Sequence, residues 1–201
     1  MTSDNFERLV ETFLKFPGIG PRQARRFVYH LIRQDTATLN SFLDDIKTLK
    51  KAAGRCSQCQ RFYTLNPNAK SKTVCELCGD ETRDQSLLMV IEKDIDLENV
   101  KKSGTYNGHF FVLGSLPSMT EQAPIIRRSQ ELLARVKEQA PKEIILALSA
   151  TAAGDHALEL LKELLSGLKT QISVLGRGLS TGTELEYSDA DTIKNALKNR
   201  G

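Results

Sequence analysis

Cys56-Ser57-Gln58-Cys59 and Cys75-Glu76-Leu77-Cys78 contain all four cysteines of the chain, arranged as two Cys-x2-Cys knuckles. Each knuckle presents two thiolates from a tight turn, so the set suits one tetrahedral ion, and the spacing is that of a zinc ribbon. We therefore expect one structural Zn2+ per chain, held by Cys56, Cys59, Cys75 and Cys78. A closed four-thiolate site leaves no open coordination position, so the ion stabilises the fold and takes no part in chemistry. Gly79 and the Asn66-Pro67-Asn68 stretch supply the turns of a small module with little apolar core. The competing reading is a pair of disulfides. It is the weaker one, because Met1-Thr2-Ser3-Asp4 opens without a basic segment and apolar run to send the chain to an oxidising compartment.

The chain has 201 residues, 40% hydrophobic and 26% charged, enough for one sizeable core or for two small modules. No stretch approaches the roughly 18 apolar residues of a membrane span, so the expected location is cytoplasmic. The net charge of +3 is unevenly placed. Residues 1–55 hold ten Lys+Arg against six Asp+Glu, whereas the remainder hold eighteen against nineteen. A basic N-terminal part is compatible with a polyanionic partner and also with an ordinary solvated surface.

Phe6, Leu9, Val10, Phe13 and Leu14 recur at helical spacing, predicting an amphipathic helix that ends at Phe16-Pro17-Gly18-Ile19-Gly20-Pro21. The glycines permit a sharp turn with uncovered peptide N–H groups, and Pro21 suits the first turn of a second helix. Ala24, Phe27, Val28, Leu31 and Ile32 form that helix's apolar stripe. Arg22, Arg26, Tyr29 and Arg33 fall within roughly 60° of one another on the opposite side, with Arg25 flanking them. Helix, Gly-Ile-Gly turn and helix together resemble a helix-hairpin-helix motif, which grips DNA phosphates without reading bases. The expected contacts are Gly18, Ile19, Gly20, Arg22, Arg26 and Arg33; the alternative is a plain helical hairpin with a solvated arginine face. Leu39, Phe42, Leu43, Ile46 and Leu49 predict a third helix, whose Lys47, Lys50 and Lys51 form a solvated helix end or, alternatively, extend the phosphate track.

After the knuckles the pattern changes. Leu87–Ile91, His109–Leu113, Ile144–Leu148 and Ile172–Leu175 are short apolar runs separated by helical patterns: Ile126, Ser129, Leu132, Leu133, Val136, then Leu158, Leu161, Leu164, Leu165, Leu168. Strand alternating with helix predicts a mainly parallel four-stranded sheet covered on both faces. Ligands meet such a sheet where its strands end, which singles out Glu92 and the Ser149–Asp155 loop.

A helix-hairpin-helix, a four-cysteine ribbon and an α/β part beginning at Val90-Ile91-Glu92, in that order, resemble the RecR family of bacterial recombination mediators. The α/β part resembles a Toprim domain. The segment from Arg177 to Tyr187 is similar to the family's closing segment, which leads to a last short helix around Asp191–Leu197. The expected fold is therefore an α+β multi-module chain: helix-hairpin-helix region 1–54, zinc ribbon 55–80, Toprim domain 81–175, C-terminal segment 176–201. The resemblance implies a homo-oligomer, dimer or tetramer, that encircles or clamps DNA and works with a RecO-like partner to load RecA on gapped DNA. It also directs the partner to the sheet edge, with Glu92 and Asp155 as candidate contacts.

A catalytic Toprim site resembles three acids, a glutamate after the first strand and an Asp-x-Asp after a later one. Here Glu92 is present, but Leu148-Ser149-Ala150-Thr151-Ala152-Ala153-Gly154-Asp155 offers one distant carboxylate, and Ala153 stands where the family commonly has glutamate. Two separated acids make a poor magnesium site, and no phosphate loop of the Gly-x4-Gly-Lys type occurs to bind a nucleotide. The expectation is a non-enzymatic clamp. The alternatives are a metal-dependent Toprim enzyme, nuclease or primase-like, and a protein adaptor without direct DNA binding. His30, His109 and His156 stand apart from the cysteines as ordinary residues, and neither Ser149 nor Ser180 has the His/Asp neighbours of a nucleophile.

Overall fold

A computed structural model describes residues 3–65, 73–114, 116, 123–179, 182 and 184–198, with the side chains of residues 3 and 123–126 excepted. The chain divides into two compact units, Met1–Ala53 and Gly54–Gly201. Asn66-Pro67-Asn68, Ser180 and the side chain of Ile126 lie outside the described residues.

In the first unit, helices α1 (Ser3–Leu14) and α2 (Pro21–Ile32) pack through Val10, Ala24 and Val28, with Phe6, Phe13 and Ile19 closing around them. The turn between them passes through Gly18 at φ +76°, a left-handed conformation that L side chains resist. Gly20 is the extended N-cap of α2, with Pro21 in its first turn. Arg25 reaches back to Glu7 of α1 at 3.0 Å and 3.1 Å, a two-pronged link across the hairpin. Helix α3 (Thr36–Ala52) starts on Asp35, whose carboxylate accepts from Thr38 N and Oγ1. None of its residues is buried: Phe42, Leu43, Ile46 and Leu49 are exposed on one stripe.

A small two-stranded sheet, β1 (Ala53–Arg55) and β2 (Phe62–Thr64), begins at the last residue of the first unit and brackets the first knuckle of the second. Four further strands follow: β3 (Asp84–Ile91), β4 (Gly108–Val112), β5 (Glu143–Ala147) and β6 (Gln171–Val174). They lie in the order β4-β3-β5-β6, and every pairing is parallel. Because side chains alternate along a strand, β3 feeds two cores. Leu88 and Val90 join Phe111, Ile144 and Leu146 against helices α5 (Ala123–Gln139) and α6 (Ala152–Leu165). Met89 and Ile91 join Phe110 and Val112 against Leu97 of helix α4 (Asp94–Ser103), and Leu77 of the second knuckle packs there too. The chain leaves β3 towards β4 on one side and returns to β5 on the other, so the strand order reverses between the ends of β3 and β5. A 3-10 turn (Leu185–Tyr187) and helix α7 (Ala190–Lys198) are the last elements among the described residues. No helix among the described residues is long and apolar enough to cross a membrane.

Candidate metal centre and nucleic-acid interface

The two knuckles are built alike. In the first, Gln60 N donates to Cys56 O at 3.0 Å, with Gln60 at φ 63°; in the second, Gly79 N donates to Cys75 O at 3.0 Å. Ser57 N donates to Thr73 O at 2.8 Å and joins them. The four sulfurs then lie within 4.8 Å of one another, with Cys56, Cys59 and Cys75 buried and Cys78 half-buried. Cys59 and Cys75 Sγ are 3.5 Å apart, near the ~3.8 Å expected between ligands of a tetrahedron with ~2.3 Å metal–sulfur bonds. The amides of Cys59 and Cys75 point at Cys56 Sγ, at 3.5 Å and 3.4 Å.

Four thiols this close cannot ionise independently. Hydrogen bonds from Cys59, Cys75 and Cys78 pull Cys56 well below the ordinary thiol value. Cys59 and Cys78 are pushed up, in each case chiefly by the hydrogen bond to Cys56, with burial adding to the effect. A divalent cation removes that conflict by stabilising all four as thiolates. The residues therefore fit a metal ion. Among the described residues, this is the one group of three or more His, Cys, Asp or Glu side chains placed to hold one.

Two nearly buried arginines flank the cluster, and the sequence patterns did not single them out. Arg61 pairs with Glu76 at 2.7 Å and Glu98 at 3.5 Å. Burial alone would lower its pKa, but Glu76, then Cys75 and Cys59, raise it. Arg135, on α5, hydrogen-bonds to Cys78 Sγ. The signal for Arg135 was its place in the helical stripe, one turn after Leu132 and next to Val136.

At the sheet's C-terminal edge, Glu92 follows β3 and is only 5% exposed. Ser149, after β5, donates its hydroxyl to Glu92 Oε2, and Lys93 Nζ lies 2.9 Å from Oε1. Desolvation would raise this carboxyl, yet the hydrogen bonds from Ser149 and Lys93 and the Lys93 charge hold it below the usual value. Glu92 is thus buried and hydrogen-bonded. Asp155 stands apart on the first turn of α6, exposed and paired with Arg177 at 2.7 Å.

On the first unit, Gly18 and Gly20 are open, with nothing within 4 Å of where a side chain would begin. Gly20 supplies no side-chain cap, so the first-turn amides of α2 adjoin an uncovered turn. Arg22, Arg26 and Arg33 are all exposed, and Ile19 tucks its side chain towards the hairpin core. Tyr29, expected on the arginine face, instead leans on Phe6 at 5.0 Å between ring centres.

Three family profiles match parts of the chain. A "RecR, helix-hairpin-helix" profile matches residues 6–49, a Toprim domain profile residues 86–176, and a "RecR, C-terminal" profile residues 178–200. Recombination protein RecR of Bacteroides thetaiotaomicron is 37% identical over 195 residues, 96% of this chain and 92% of that protein. That of Acidobacterium capsulatum is 34% identical, covering 96% and 94%, and that of Legionella pneumophila 33%, covering 100% and 98%. With fold order, cysteine cluster and near full-length similarity in agreement, this chain belongs to the RecR family of recombination proteins.

Proposed function

We propose that the protein is a non-catalytic DNA-clamping scaffold of recombinational repair in the cytoplasm, acting with a RecO-like partner to load RecA on gapped DNA. The observation that carries it is the open Gly18-Ile19-Gly20 turn at the uncapped start of α2, with Arg22, Arg26 and Arg33 exposed beside it. That arrangement offers amide donors and guanidinium groups to phosphates. On this reading the modules are 1–54, 55–80, 81–175 and 176–201, with one Zn2+ on Cys56, Cys59, Cys75 and Cys78 as a structural ion.

Self-association is supported by the first unit. Phe13, Phe16, Ile19, Phe27, Leu39 and Phe42 line an apolar groove of about 470 Å³, and the exposed stripe of α3 continues the apolar surface. A second copy, in a dimer or tetramer, covers that surface. At the sheet edge the docking role falls to exposed Asp155, with Glu92 shaping the loop beneath it. No set of three acids assembles there among the described residues, which favours docking over metal-dependent catalysis. Solution mass with and without gapped DNA tests the reading. A dimer or larger species that retains DNA supports it, and a monomer in both conditions refutes it.

A further inference from the structure

Helix α5 carries a positive charge into the interior. Arg135 is only 5% exposed, between the buried Leu132 and Val136. Its guanidinium donates to Gln139 Oε1 at 3.0 Å, to the carbonyls of Gln58 at 3.0 Å and Phe110 at 2.6 Å, and to Cys78 Sγ at 4.0 Å. The other buried arginine, Arg61, has two carboxylate partners. Arg135 has none among the described residues, only neutral oxygens and a sulfur.

A buried cation without a counter-charge is strongly disfavoured. Four thiolates around a divalent ion carry four negative charges against two positive, leaving an excess of two negative. That excess is the missing partner of Arg135, and Cys78 is the ligand its fork reaches. We propose that Arg135 is the counter-cation of the metal centre, acting through the Cys78 sulfur to hold the ion and tying it to β4 through the Phe110 carbonyl. The proposal rests on the zinc reading above. Arg135 is thus a positioning residue, which damps the charge on Cys78, the least buried ligand and the one most open to competing chelators.

The test uses the full chain as purified. Metal content is measured for the wild type, Arg135→Lys and Arg135→Gln, followed by the rate of zinc transfer to a coloured chelator. Release from Arg135→Gln is expected to be about 10–100-fold faster, with Arg135→Lys intermediate because it keeps the charge and loses the fork. In cobalt-loaded protein, the sulfur-to-cobalt charge-transfer band is expected to move to lower energy in Arg135→Gln as Cys78 becomes more electron-rich. A merely structural arginine would leave that band in place. In a Cys78→His background, where the thiolate acceptor is gone, Arg135→Gln is expected to change release by less than about threefold. Should Arg135→Gln not fold, Arg135→Lys carries the comparison. Folded variants with one ion, wild-type release and an unmoved band overturn the role of Arg135 alone. Wild-type protein that never holds a metal overturns the zinc reading and this proposal together.

Discussion

The backbone amide of Val112 donates to the carbonyl of Cys59 across 2.8 Å. Val112 ends β4, the outer strand of the sheet, and Cys59 closes the first knuckle, so the metal centre covers the end of an otherwise open sheet edge. Phe62 N adds a bond to Asp94 Oδ1 at 2.9 Å, and Arg128 one to Gln60 Oε1 at 2.6 Å. The ribbon is thereby part of the α/β unit's construction.

Stripping the metal is therefore expected to loosen β4 as well as the knuckles. Hydrogen exchange before and after chelation checks this. Faster exchange at Val112 and Phe62 is expected, while the central β5 amides stay protected. Unchanged exchange at Val112 in metal-free protein would show that the sheet edge is indifferent to the ion.

How much of this was legible depended on whether chemistry is local. Cys-x2-Cys spacing, the Gly18-Ile19-Gly20 turn and the four apolar runs are local patterns, and each marks its element directly. The role of Arg135 is not local. It depends on Gln58, Cys78 and Phe110 meeting one side chain from three different segments, which no periodicity in α5 encodes. Glu92 was placed at the right edge, but its inward turn depends on where Ser149 lands after β5. The stripe of α3 was readable as amphipathic, whereas its exposure among the described residues was not.

Arg22 and Arg26 lie one turn apart on the exposed side of α2, next to the open turn. Replacing both with alanine is expected to lower the slope of log affinity against log salt by about two units, nearly independent of base sequence. DNA-binding titrations at several salt concentrations measure it. A folded double variant with the parental slope would place the DNA surface elsewhere.

Gly154, in the first turn of α6, packs directly under the Ser149 carbonyl, so a side-chain carbon there would overlap that oxygen. Ser149 is also the donor to Glu92, so displacing its backbone breaks the bond that satisfies a buried carboxylate. Gly154→Ala is expected to destabilise the α/β unit by about 1–3 kcal/mol, read from urea denaturation. A variant as stable as the parent would mean that the loop yields at no cost.

His109 opens the apolar run of β4, and both its ring nitrogens are buried with no hydrogen-bond partner among the described residues. Desolvation, then the charges of Arg135 and Arg83, lower its pKa below that of an ordinary imidazole, outweighing the opposing pull of Asp80 and Asp84. The folded protein thus keeps this ring neutral at a pH where the unfolded chain protonates it. Above pH ~6.5 both states are neutral and His109 contributes no pH dependence. Below that, the unfolded state binds the extra proton, so stability falls with pH until the folded-state pKa is reached. Glu92, also with a lowered pKa, loses its contribution only below the ordinary glutamate range. The two windows therefore separate. His109→Leu removes the titration and two unsatisfied nitrogens, so it is expected to match or exceed wild-type stability at pH 5.5 and to flatten the loss between pH 6.5 and 5.5. Urea midpoints of metal-loaded protein at pH 7.5, 6.5 and 5.5 measure both variants, and the acid lability of the thiolate site cancels in their difference. Parallel stability curves for wild type and His109→Leu would show that this ring does not set the acid limit.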